Sequence, residues 1–577
     1  MLNYMCGIFA LLNNKETDID AIKTEFMKGK NRGPENSQFL NLTTINTILG
    51  FHRLPINGYQ DDNANQPFHI NNKYLICNGE IYNFKQLYQI LDDVTPYSTS
   101  DCEIIIHLYE KFGIDQTLQV IDGVFAFILI DLDVNKIFVA RDTYGVRPLF
   151  AATQSNVVDN VSSYYFASEL KSICNIPSIH DGNIHQFEPG CYSVFNLDHK
   201  NIAHYIDSRE FSSPNSFFNS LVDNDENVIL KNIYSHIENA VRKRVDNTDR
   251  EVACLLSGGL DSSIVCALVK RFHNGPLHTW SIGFEGSEDL KHAKIVADHI
   301  GSIHHNICVN EKEFLDAIPE VIYAIESYDT TTVRASVGNW LISKYIKQNS
   351  DAKVIFNGDG ADEAMGGYMY FHLAGNCLEF DRECRRLLSN IHYYDVLRSD
   401  RSISSHGLEA RTPFLDRKFI QYYLSIDPSI RFHPGNKQCE KYLMRKAVET
   451  YGEDLLPKSV LWRTKEAFSD GVSKQTKSWY EIIQDYVKSE VYSHYQDEID
   501  NITTQYNPYT FNRPTTLEQL YYRDIFHRYY SNLSLAKVIP YFWMPKYCDA
   551  TDASARTLQV YKDKMNDDEE EVSISEM

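Results

Sequence analysis

The sequence predicts two α/β halves: a strand-rich first part of α+β character, then a doubly wound parallel sheet ending in a helical C-terminal part. Three observations carry this expectation. Short β-branched and aromatic runs broken by turn signals (Tyr74–Cys77, Phe125–Ile130, Lys136–Ala140, Tyr164–Ala167) fill the chain up to about residue 205. From residue 228 the rhythm becomes strands alternating with helical spacing, which favours parallel pairing. The chain's 577 residues also exceed what one hydrophobic core normally supports.

Taken in order, helical stretches near Ile19–Lys28 and Asp101–Lys111 interrupt the first strands and suggest sheets sandwiched by helices. Residues 206–227, rich in Ser, Asn and Asp and containing Pro214, read as a linker between a domain at 6–205 and one at 228–560. The apolar run Val252–Leu256 reads as a buried strand, and Leu260, Ile264, Ala267, Leu268 and Arg271 follow at helical spacing. Leu277–Gly283 and Val354–Phe356 read as strands, Asp289–Ile300 as a helix closed by Gly301, and Ala335–Lys347 as another helix. Past about residue 370 the pattern is mostly helical, and residues 561–577 form an acidic tail carrying Asp567–Glu571.

A net charge of −22 argues against a nucleic-acid partner, whose phosphates need a basic face. Anionic substrates must therefore be held by local groups. There is no 18-residue apolar run to span a membrane, and the short apolar start lacks the basic flank of an export signal. Twelve scattered cysteines show no zinc spacing, so reduced thiols and a cytoplasmic location are expected.

Between the strand at 252 and its helix lies Ser257-Gly258-Gly259-Leu260-Asp261-Ser262-Ser263. Backbone N–H groups and a positive helix end converge in such a turn, and the serines add hydroxyl donors, which makes an anion cradle. No Gly-Lys-Ser/Thr follows, so it is not a Walker loop. The motif resembles the pyrophosphate loop of enzymes that split ATP into AMP and pyrophosphate.

At the other end, Cys6 precedes Gly-Ile-Phe. A mature N-terminal cysteine has its own α-amino group, titrating near pH 8, as a base for the thiol. Arg53 offers a fork for a carboxylate, Asn78-Gly79 an amide and a flexible N–H for an oxyanion, and Asp101 a carboxylate for an α-ammonium. Together with Arg32-Gly33-Pro34-Glu35, Asp122–Phe127 and Arg141–Leu149, these segments resemble the class II glutamine amidotransferase domain, an N-terminal-nucleophile hydrolase fold. The resemblance implies that Cys6 attacks the glutamine amide. It also implies that Asn78 and Gly79 stabilise the oxyanion, and that Arg53, Leu54, Pro55, Ile56, Asn57, Glu80 and Asp101 surround glutamine.

The second half, through Glu326–Ser336, His406–Asp416, Lys465–Gly471, Trp543–Lys546 and Ala550–Thr557, resembles glutamine-hydrolysing asparagine synthetases. The resemblance implies an ATP pyrophosphatase domain acting through β-aspartyl-AMP and channelled ammonia, with glutamine, aspartate, ATP and Mg²⁺ as small-molecule partners, in a homodimer. It carries ATP contacts onto Leu255, Ser257, Gly258, Gly259, Asp261, Ser262, Ser263, Ile282, Asn357 and Gly358. By the same resemblance magnesium falls to Asp261 and Asp362, the phosphate charge to Lys465, and the phosphates and aspartate to Thr331 and Arg334. One segment departs from the family's Ser-Gly-Glu-Gly-Ser-Asp-Glu. Here it is Asn357-Gly358-Asp359-Gly360-Ala361-Asp362-Glu363, so the carboxylate linked with adenylation sits at Asp359, on a stem shorter by a methylene. Two other readings stay open at this level: amidation of another carboxylic acid by the same chemistry, and a non-catalytic paralogue that binds amino acids.

The α-amino base works only if Cys6 heads the mature chain, whereas Met1-Leu2-Asn3-Tyr4-Met5 would leave an amide at that position. Translation from Met5 with methionine removal, or cleavage of the pentapeptide, is therefore expected. Intact-mass measurement of native protein should find Cys6 first. Full glutaminase activity from a chain that retains Met1 would refute the base.

Overall fold

In a computed structural model, residues 6–563 are described, apart from 16–17, 34, 156–160, 177–178, 180–183, 215–224, 464, 466–470, 474–476 and 494–506. The acidic run Asp567–Glu571 and the middle of the expected linker lie outside the described residues.

The first half holds two six-stranded sheets. One runs His185–Gln186, Phe150–Ser155, Ser162–Ala167, Gly7–Leu12, Thr47–Arg53, Asn36–Leu42, every pair antiparallel. The other runs Ala203–Glu210, Cys191–Leu197, Lys136–Arg141, Gly123–Asp131, Lys73–Ile81, Phe68–Ile70, again antiparallel. Side chains alternate across each strand, so both faces must be covered. Ile8, Ala10 and Leu12 meet Ala126, Ile128 and Ile130 between the sheets. On the outer faces Phe9 and Leu11 pack with Ile22 and Phe26 of the helix Ile19–Met27, and Phe125, Phe127 and Leu129 with the helix Ile104–Val120. The result is the expected helix–sheet–sheet–helix sandwich. The strand Ala203–Glu210 carries the second sheet past residue 205, into the stretch read as linker, because Asp207–Glu210 pair with Cys191–Val194.

The second half is built on a five-stranded, wholly parallel sheet ordered Ile303–Val309, His278–Phe284, Val252–Leu255, Val354–Phe356, Glu409–Arg411. From Val252–Leu255 the chain adds strands outward on one side, then returns to add the last two on the other. The loops after Val252–Leu255 and Val354–Phe356 therefore flank the point where the strand order reverses, the usual ligand crevice of such sheets. The helix read as Ala335–Lys347 spans Thr330–Asn349, its first turn capped by Asp329, which accepts from Thr332 N at 2.9 Å. Glu409–Arg411 is a strand of three residues that the pattern did not reveal.

A buried layer of ion pairs joins the halves. Arg411 reaches Glu80 at 3.2 Å and Glu409 at 2.9 Å, and Arg147 reaches Glu409 at 2.9 Å. Arg32, fully buried, grips Asp400 with both terminal nitrogens at 2.7 and 3.1 Å. Glu326 pairs with Arg401 and accepts the backbone amides of Leu170 and Lys171, each at 2.9 Å.

Candidate active sites

The first site gathers at the start of the strand Gly7–Leu12. The Cys6 thiol donates to Leu54 O at 3.3 Å, and Leu54 N donates back to Sγ at 3.4 Å. Burial pushes this thiol up to about 12, so at neutral pH a base must take its proton. The segment after Leu54 is fixed from the second half. Asp249 N donates to Ile56 O at 3.0 Å, Arg250 to Pro55 O at 3.1 Å, and Gly58 N to Asp249 at 2.8 Å. Asn57 donates to Glu80 at 2.9 Å.

Asn78 and Gly79 stand in the strand Lys73–Ile81, opposite Ala126 and Phe125. The Asn78 amide donates to Ser168 Oγ at 3.3 Å, and Ile8 N donates to the same hydroxyl at 3.0 Å. Ser168 thus ties the expected oxyanion strand to the nucleophile strand. Asp101 accepts from Ile81 N at 2.6 Å, and burial lifts its carboxyl to about 6. Arg53 braces its own loop. Its terminal nitrogens donate to Gly58 O, Asp61 O and Asn65 Oδ1 at 2.6, 3.2 and 2.9 Å, so it shapes the loop beside the thiol.

The second site is a cleft at the reversal point of the parallel sheet. Leu255, Ser257, Gly259, Asp261, Ser262, Ile282, Thr331, Asn357, Gly358, Asp359, Asp362 and Lys465 all line it. The two loops interlock closely. A Cβ on Gly358 would lie 2.8 Å from the backbone of Asp261 and Ser262. Gly258 adopts φ +76°, and a Cβ there would sit on the backbone of His292 and Ala293. Within the loop Ser262 Oγ bonds Ser257 N at 3.2 Å and Ser257 Oγ at 3.0 Å. Gly258 and Ser263 are not in the cleft wall. The first shapes the loop, and the second is fully buried behind it.

Two lysines face the two aspartates expected to hold a metal. Lys465 lies 2.8 Å from Asp362 and 3.9 Å from Asp261. Lys441, nearly inaccessible, lies 2.5 Å from each of them. Burial alone would raise the Asp362 carboxyl, but Lys441 and Lys465 hold it well below the usual carboxylate range. Lys465 is held correspondingly high, its burial outweighed by Asp362 and Asp261. Asp359 meets Arg398 at 3.1 Å, and its other oxygen is buried without a hydrogen bond, as is Oδ1 of Asp261.

Residues 5–221 match the family model described as a glutamine amidotransferase domain, and residues 232–380 and 376–538 that described as asparagine synthase. Over 581 residues the chain is 42% identical to "Asparagine synthetase [glutamine-hydrolyzing]" of Gallus gallus, across 97% of this chain and 99% of that one. It is equally similar, 42% over 582 residues and the same shares, to the Homo sapiens protein of that name. The chain belongs to the asparagine synthetase family.

One family-derived expectation is corrected by the geometry. Arg334 lies outside the cleft wall, its guanidinium consumed by Glu518 at 2.8 and 2.6 Å and by Asp552 at 2.7 and 2.8 Å. Burial without these carboxylates would strand its charge, so it is a structural ion pair that anchors residues 518 and 552 to the helix beside the cleft. Lys441, Asp395 and Arg398 also line the cleft, and no sequence motif points to them. Lys441 precedes the helix Tyr442–Tyr451 with φ +58°, and no neighbouring motif marks it. Asp395 and Arg398 sit one helical turn apart in Asp395–Ser404, a spacing equally common in surface pairs.

Gly258→Ala should strain the left-handed turn, worth ~1–3 kcal/mol, and push the loop off the backbone at Ala293. AMP formation should fall at least ~10²-fold while glutamine hydrolysis persists. Wild-type AMP formation would show that the loop tolerates a side chain there.

Proposed function

We infer that this chain makes asparagine from aspartate, with glutamine as nitrogen donor and ATP as activator, by chemistry divided between the two sites. What carries the reading is the anion loop, two aspartates and two lysines around one cleft, in a chain that also carries the Cys6 pocket.

In the first site Cys6 Sγ attacks the side-chain carbonyl carbon of glutamine. Its proton passes to a base, for which the α-amino group of Cys6 is the candidate after removal of residues 1–5, and then to the departing nitrogen. Ammonia leaves, and water cleaves the thioester to glutamate and free thiol. Asn78 and the Gly79 N–H are the candidate oxyanion donors. Asp101 is the candidate partner of the α-ammonium, beside the loop that Arg53 holds.

In the cleft the side-chain carboxylate of aspartate attacks the α-phosphorus of ATP, and pyrophosphate leaves. Ammonia then attacks the β-aspartyl carbon and displaces AMP. The Ser257–Ser263 loop would cradle the leaving pyrophosphate, and Lys465 and Lys441 would offset its growing charge. Leu255 and Ile282 offer an apolar seat for the base. A magnesium ion suits Asp261 and Asp362, since such ions take one or two carboxylates plus phosphate oxygens, and bound there it would neutralise the phosphates. A side pocket lined by Thr331, Tyr368, Asp395, Arg398 and Trp543 opens beside the loop and supports an aspartate seat, with Arg398 for a carboxylate and Asp395 for an ammonium. Arg398 also steadies Asp359, which supports adenylation despite the shortened stem. Family resemblance further implies a cytoplasmic homodimer; no helix among the described residues is long and apolar enough to cross a membrane.

Cys6→Ala should abolish glutamine hydrolysis yet leave ammonium-dependent asparagine formation largely intact. Lys465→Ala or Asp261→Asn should stop AMP release while glutaminase persists. Loss of both activities together in either set would contradict the two-site division.

Asp101 adds a pH test. Its carboxyl, raised to about 6, is charged above that value and neutral below it. If it holds the ammonium, KM for glutamine should climb as pH falls through about 6, and Asp101→Asn should give a high KM with no such rise. A KM for glutamine that stays flat in the wild type through the acidic range would remove Asp101 from that role.

A further inference from the structure

The nucleophile's position is set from across the chain. Arg32 Nε donates to Cys6 O at 2.9 Å, and its remaining nitrogens donate to Asp400 at 2.7 and 3.1 Å and to Ser404 Oγ at 2.9 Å. Asp400 and Ser404 belong to Asp395–Ser404, a helix of the synthetase half buried from Val396 to its end. The same helix presents Arg398 to Asp359 at 3.1 Å and Ser399 to Asn357 at 2.6 Å, from the two positions just before Asp400.

We propose that Asp400 is a positioning residue for glutamine hydrolysis, acting through Arg32 on the backbone of Cys6. The physical reason is torsional. The thiol and the α-amino nitrogen both hang from the Cys6 Cα, and the carbonyl that Arg32 holds is the only other backbone group on that atom. With the following residue locked into the sheet opposite His52, fixing this carbonyl fixes how thiol and nitrogen face the substrate. Arg32 can do so only while its own guanidinium is clamped, and the bidentate Asp400 contact is the clamp. A displacement near 1 Å at a nucleophile costs on the order of 10²-fold in rate. The synthetase half therefore completes the glutaminase site without touching glutamine.

The proposal rests on Cys6 as nucleophile, and Cys6→Ala measured in parallel separates the two claims: retained hydrolysis there would sink that assignment whatever Asp400 does. Asp400→Asn keeps the shape and one acceptor oxygen but loses the charge and the second strong contact. In the full-length enzyme, glutaminase kcat should drop roughly 10-fold or more, with KM for glutamine and ammonium-dependent synthesis each within about twofold. The rate at which iodoacetamide inactivates glutaminase should slow in step, a readout that general loosening would not lower. Ser404→Ala removes a single contact and serves if Asp400→Asn fails to fold; a several-fold loss with the same split is expected. Unchanged glutaminase kcat, a rise confined to KM, or equal loss of both activities in the folded variant overturns the proposal.

Discussion

Charge buried between the halves must be paired, and that constraint governs the molecule. Glu80, Glu409, Arg147, Arg411, Arg32 and Asp400 are all nearly inaccessible. Removing one partner of such a pair typically costs ~3–5 kcal/mol, because the other is left stranded in a low dielectric. Burial and the neighbouring Asp101 and Glu409 push the Glu80 carboxyl well up, with Arg411 and Arg147 pulling back. The network is contributed jointly. Glu80 comes from the strand that bears Asn78 and Gly79, and Arg411 from the sheet that bears Asp359 at its crevice. Each half thus supplies charge that pairs a buried ion of the other.

The cleft answers a related problem, that of an acidic protein handling a polyanion. A net charge of −22 repels ATP at long range. Lys441 and Lys465, packed against Asp261 and Asp362, place positive charge inside the cleft. These lysines are neutralised by carboxylates, so burying them is tolerable before substrate enters. The oxygens of Asp261 and Asp362 are of the hard type that suits a divalent ion.

Features with local causes were legible in the sequence. Ser257–Ser263 announces itself because a strand, a glycine turn and a helix follow within a few residues, and the sandwich follows from alternation in runs such as Phe125–Ile130. Arg334 shows where local reading stops. Its partners lie 184 and 218 positions downstream, and a motif arginine looks the same whether it meets a phosphate or a carboxylate. Lys441 acts through tertiary placement alone. Glu409–Arg411 is too short to show a period, and the strand ending at Glu210 is polar because it is an edge strand, exposed along much of its length.

The pairing of Glu80 with Arg411 spans 331 positions and so has a consequence for biosynthesis. At roughly 5–20 residues per second, Arg411 leaves the ribosome about 20–60 s after Glu80. Throughout that interval the N-terminal sandwich can form its sheets, yet the carboxyl of Glu80 must stay hydrated or protonated and the Arg32 guanidinium must wait for Asp400. Until then the face of the first half that carries these two groups lacks its partners. Both wait for residues 400 and 411, so the charge layer beside Cys6 is completed only after most of the chain has been made.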